Sequence, residues 1–68
     1  MPYRKRINTR AGQITVLAIK LMGGPDRQGS RNMAIKARDN ANMALNAKTD
    51  EGAAMFLTDA ENYLHDAQ

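Results

Sequence analysis

The sequence predicts an all-α domain of three short helices, the last two folded into an antiparallel hairpin. Three observations carry this. Apolar residues recur at three- and four-residue steps through most of the chain, the period of a helix with one buried face. Turn-forming residues cluster in only one place, GGPDRQGS at 23–30, followed further on by a single strong helix-start signal at Thr49. The one strand-like run, Ile14-Thr15-Val16, has no second such run in the chain to pair with.

The first element is expected over 9–22. Asn8 or Thr9 can cap it, and Ala11, Ile14, Leu17, Ala18, Leu21 and Met22 fall on one face. Gly23 offers a left-handed C-cap, and Pro25 cannot continue the helix. Ahead of it, residues 1–8 read as a mobile basic arm. The second helix is expected over 31–48 with Ser30 as cap. Its inner face is Met33, Ala34, Ala37, Ala41, Ala44 and Leu45, so short-chained that a facing helix can approach closely. The third is expected over 50–67. Thr49 caps it, Asp50 and Glu51 sit in the first turn where the helix dipole favours anions, and Ala53, Phe56, Leu57, Ala60, Tyr63, Leu64 and Ala67 form its stripe. Were the second and third helices one rod, their stripes would face different directions. A break at Lys48-Thr49 buries both together.

Sixty-eight residues allow one domain. Eleven are alanine and one is phenylalanine. At about 25 cal/mol per Å² of apolar surface, so slender a core contributes little per residue ordered. With no cysteine to staple it and no Cys/His cluster to hold a structural metal, self-association as a homo-oligomer is expected. The lack of cysteine fits a reducing compartment, the cytoplasm. No run of 18 apolar residues exists to span a membrane, and ITVLAIKLM is too short, and broken by Lys20, for a signal core. Residues 1–25 carry the basic bias of a transit peptide, but they also hold much of the apolar side chain the fold needs.

Charge is unevenly distributed. Residues 1–38 hold nine of the ten Lys/Arg against one acid, Asp26; residues 39–68 hold Lys48 against six acids. Such a chain meets a polyanion with its basic half, or its halves meet each other, within the fold or between copies. The expected nucleic-acid contacts are Arg4, Lys5, Arg6, Arg10, Arg27, Arg31 and Arg38 on phosphates, with Asn42 on a base edge and Tyr3 able to stack. Ile35, Met43 and Met55, together with Val16, escape the core faces and are candidates for a protein interface, where adaptable methionine is common.

No catalytic or cofactor chemistry is indicated. GGPDRQGS lacks the Gly-Lys-Ser/Thr of a nucleotide loop. His65 has only Glu61 as a neighbouring ligand type, too few for a metal. Asp59, Glu61 and Asp66 diverge around their helix, and Ser30 and Thr9, Thr15, Thr49 and Thr58 have no accompanying base. The expectation is a non-enzymatic, cofactor-free protein that binds nucleic acid or a nucleic-acid-bearing complex. The alternative is a protein-only adaptor or inhibitor docking on an acidic patch. A third reading, the first helix lying on an anionic membrane surface, is weaker because its polar arc is poor in cations.

Overall fold

The computed structural model describes residues 3–68. They form three helices in up-down-up order: α1 (Tyr3–Met22), α2 (Ser30–Asn46) and α3 (Asp50–Ala67). The α2–α3 pair is the expected antiparallel hairpin, and α1 packs against both in a rod of 36 × 16 × 15 Å.

α2 is the inner helix. Ala34, Ala37, Ala41 and Ala44 are fully buried along it, so its inner face presents mostly methyl groups, with Met33 half-buried beside them. α1 supplies Ile7, Ala11, Ile14 and Ala18, and α3 supplies Ala53, Ala60, Leu64 and Ala67. Ile14 is the one large side chain among these that is completely enclosed. The bulkier apolar groups, Leu17, Leu21, Met22, Met33, Phe56, Leu57 and Tyr63, are half-buried and close the seams between helices. Alanine therefore sets the helix spacing and the larger residues seal the rim. Leu45, expected on the inner face, is 37% exposed instead.

Helix α1 begins at Tyr3, well before the expected start at residue 9. The mobile arm expected over 1–8 is, from residue 3 onward, the first turns of this helix; residues 1 and 2 lie outside the described region. The cause is Ile7, which extends the stripe Ala11–Ile14–Ala18 back by one turn and is only 4% exposed. Asn8 does not cap a helix. Its Oδ1 accepts a hydrogen bond from Arg4 Nε one turn earlier, at 3.2 Å.

The connection between α1 and α2 also departs from expectation. Gly23 and Gly24 stay out of the left-handed region. Gly23 N–H donates to the carbonyls of Ile19 and Lys20, Gly24 N–H donates to that of Leu21, and Pro25 ends the run. The positive φ values come later, at Gln28 (53°) and Gly29 (80°). Ser30 is the first residue of α2 rather than its cap, and its Oγ accepts from Arg27 N–H at 3.0 Å. The carboxylate that serves α2's first turn is Asp26, whose Oδ1 accepts from Arg31 N–H at 3.1 Å. At the second connection Thr49 caps α3 as expected, its Oγ1 accepting from Gly52 N–H at 3.0 Å.

Candidate functional site

The structure divides the cations into two chemical groups. Members of the first are bonded inside the fold. Arg4 reaches across from α1 to the end of α2, where the last carbonyls of any helix lack intrahelical partners. Its Nη2 donates to Ala47 O at 2.6 Å and Ala44 O at 3.2 Å, and its Nη1 to Thr49 O at 3.4 Å, with the Asp50 carboxylate at 3.5 Å. Arg4 is thus a C-cap supplied from another helix, with its positive charge at the negative end of the α2 dipole. Arg10 forms a two-pronged pair with Glu61 of α3, Nε to Oε2 and Nη2 to Oε1, both at 2.8 Å. Arg38 lies against its neighbour Asp39 at 3.1 Å, with Nη1 over the sulfur of Met22. Lys36, on the α3 side, stands 5.6 Å from the centre of the Tyr63 ring.

The Arg10–Glu61 pair has a measurable signature. The hydrogen bond from Arg10 holds the Glu61 carboxyl below its ordinary value of 4.5, against the opposing effect of burial. A depressed carboxyl contributes stability that is fully present above the ordinary value and is lost as pH falls through the depressed one. Both side chains are about two-fifths exposed, so screening by water keeps the contribution to about 0.5–1 kcal/mol. Glu61→Gln should flatten the acid limb of a stability–pH curve below pH 4.5 by that amount. Thermal unfolding followed by circular dichroism across that range checks it.

The second group faces solvent. Among the described residues, Lys5, Arg6, Lys20, Arg27, Arg31 and Lys48 are exposed and, like Lys36, have no acidic side chain within 4.0 Å. Lys20 and Arg27 border one cleft of about 650 Å³ at the loop end of the rod, with Gly24, Pro25 and Ser30, and with Asp66 on its α3 side. Arg31 joins them by donating from Nη2 to Gly24 O at 3.1 Å. The positive end of the α2 dipole opens on the same loop. At the other end of α1, Arg6 lines a shallow groove with Tyr3, Ile7 and Leu57, and Tyr3 is 58% exposed. Lys5 points outward beside it.

Of the residues expected to contact nucleic acid, then, Arg27 and Arg31 come together, and Lys5 and Arg6 form a separate pair. About 22 Å of helix lies between Lys5 and Lys20. Arg4, Arg10 and Arg38 are turned to internal partners. Asn42 is exposed on α2, where its backbone carbonyl accepts from Asn46 Nδ2. Lys20, which completes the loop-end cluster, was not anticipated. The signal for it was its place in the last turn of α1, next to the loop.

Whole helices are segregated by charge as well. α1 carries Arg4, Lys5, Arg6, Arg10 and Lys20 and no acid. α3 carries Asp50, Glu51, Asp59, Glu61 and Asp66 and no lysine or arginine. Of the residues expected at a protein interface, Met55 is 70% and Met43 43% exposed, while Ile35 is half-buried. Val16 and Ile19 on α1 are 53% and 52% exposed. Among the described residues no three His, Asp or Glu side chains stand together as a metal-binding group, and no helix is long and apolar enough to cross a membrane. Comparison of the chain with protein-family models, with curated proteins and with solved structures finds no match.

Proposed function

We propose that this protein is a non-enzymatic binding module that engages the phosphate backbone of nucleic acid along its α1–α2 side. The observation that supports it is the outward-facing set Lys20, Arg27 and Arg31 around the Gly24–Ser30 loop, none of them committed to an acidic side chain. Lys5 and Arg6 add a second contact at the far end of α1. A rod 36 Å long spans about one turn of duplex, so both ends can reach phosphates of one segment. The acids of α3, with Asp66 bordering the same cleft as Lys20 and Arg27, disfavour insertion into a narrow groove, which points to backbone contact rather than base reading.

The test is a fluorescence titration of labelled duplex DNA and single-stranded RNA at several salt concentrations. Micromolar or tighter binding that weakens steeply with salt is expected. Arg27→Ala/Arg31→Ala should weaken binding while lowering the unfolding temperature only slightly, because the one bond lost is the exposed contact from Arg31 Nη2 to Gly24 O. No binding at low salt would remove this reading. Exposed Val16, Ile19 and Met55 favour the second reading, a protein adaptor, for which apolar anchors carry the affinity. In that case Met43→Asp or Met55→Asp would abolish partner binding and the arginine changes would spare it.

A further inference from the structure

The outward faces of α1 and α3 match each other residue by residue. On α1 the solvent side carries Lys5, Thr9, Gly12, Val16 and Lys20; on α3 it carries Glu51, Met55, Asp59, Asn62 and Asp66. Lys5 and Lys20 are fifteen residues apart, and so are Glu51 and Asp66. At 1.5 Å per residue both charge pairs span about 22 Å. Val16 lies one turn before Lys20, and Met55 lies one turn after Glu51. Laid antiparallel with Lys20 opposite Glu51, the two helices therefore bring Lys5 opposite Asp66, Val16 opposite Met55 and Thr9 opposite Asn62. Gly12 then faces Asp59, and nothing stands within 4 Å of where a Gly12 side chain would begin, which leaves room for the neighbour. A parallel register also matches both charges, but it sets Met55 against Thr9 and Val16 against Asn62.

Within one molecule this match cannot be made. α1 and α3 run parallel in the up-down-up bundle. Their solvent sides are also the ones turned away from the core. Lys20 and Asp66 border the same cleft yet form no ion pair. Contact between two α1 faces would set cations on cations, and contact between two α3 faces acids on acids.

We infer that the occupant of the α1 face is the α3 face of a second copy of this chain, docked antiparallel in that register. The contact is heterologous, so each copy keeps one face of each kind free and the assembly closes into a ring or grows as a filament. One helix against one helix is a small interface, at the weak end of specific association. The charged ends guide the approach and fix the register, and the Val16–Met55 contact supplies the apolar centre. This contact draws on Lys5 and Lys20, which the nucleic-acid reading also uses, but it is tested without nucleic acid, so either reading can fail alone.

The experiment is sedimentation velocity on the full chain across a concentration series at low and high salt. The expected result is a weight-average mass that rises with concentration at low salt and reverts to monomer at high salt. Lys5→Glu/Lys20→Glu and Glu51→Lys/Asp66→Lys, each checked for native helicity, should each lower the association constant at least about tenfold, and an equimolar mixture of the two should regain it. A wild-type chain that is monomeric throughout, a variant that associates like wild type, or a mixture that regains nothing would each overturn the inference.

The register is read separately. The chain has no cysteine, so Val16→Cys mixed with Met55→Cys reports on that one contact. Helices in contact bring facing Cα atoms within disulfide range. Oxidation should cross-link this mixture at least about tenfold faster than Thr9→Cys mixed with Met55→Cys, because disulfide geometry is selective. The reverse preference would overturn the antiparallel register.

Discussion

Ile14→Ala should cost about 3 kcal/mol, a large part of what holds this fold together. Among the described residues Ile14 is the only large side chain that is wholly enclosed, and its neighbours at the centre are mostly alanine. Alanine has no rotamers with which to fill a gap, so the cavity persists instead of collapsing, and the cost falls within the range for such deletions. A chain of this length has roughly 3–10 kcal/mol of stability in total. A loss of about 3 kcal/mol lowers the unfolding temperature by roughly 12–24 °C. Ile14→Val, which removes one methyl group, should cost only about 1 kcal/mol. Denaturant titrations of the two variants measure both numbers. If Ile14→Ala costs no more than Ile14→Val, the centre of the core lies elsewhere.

The second large effect is expected at Arg4, a residue on the surface by sequence. Arg4→Ala removes the donor to Ala44 O, Ala47 O and Thr49 O. A hydrogen bond from a charged group contributes about 1.5–3 kcal/mol. The Arg4 side chain is only 25% exposed, yet water can reach the freed carbonyls in part, so the net loss should be about 2 kcal/mol. Arg4→Lys keeps the charge but cannot spread donors over three carbonyls. It should recover less than half of the loss. Amide hydrogen exchange adds the location: protection should fall at the end of α2 and through Ala47–Thr49 before it falls in α1. Unchanged stability in Arg4→Ala would mean that the first turns of α1 fray and Arg4 is free to act as an arm.

Arg4, Lys5 and Arg6 are one run of charge in the sequence, and nothing local distinguishes a cap from a phosphate contact. The distinction is made by a helix end some forty residues away. The stripe that should have extended α1, with Ile7 four residues before Ala11, was legible; the density of charge around it hid it. The same holds for Arg10, whose partner Glu61 lies fifty-one residues on. Helix periodicity and the Thr49 cap are local signals, and the hairpin of α2 and α3 followed from them. Loop geometry was less legible. Three glycines and a proline in GGPDRQGS announce a turn, but which glycine takes the left-handed conformation depends on how α2 is docked. It is Gly29 rather than Gly23.

The candidate site was legible in part. Arg27 and Arg31 lie close together in sequence and stay together in space, whereas Lys20 joins them only because α1 ends where α2 begins. The correspondence between Val16 and Met55 could not be read until the solvent sides of α1 and α3 were known. A one-residue rotation of either helix would have removed it.

The division of cations into caps and contacts is the central claim, and one comparison tests it most directly. The salt dependence of duplex DNA binding should be measured for the wild type, for Arg27→Ala/Arg31→Ala and for Arg4→Ala at a temperature where all three are folded. With two phosphate contacts removed, the log–log slope of Arg27→Ala/Arg31→Ala should be shallower by about 1.8, and that of Arg4→Ala should match the wild type. An unchanged slope in the first variant, or an equal loss in the second, would contradict the division.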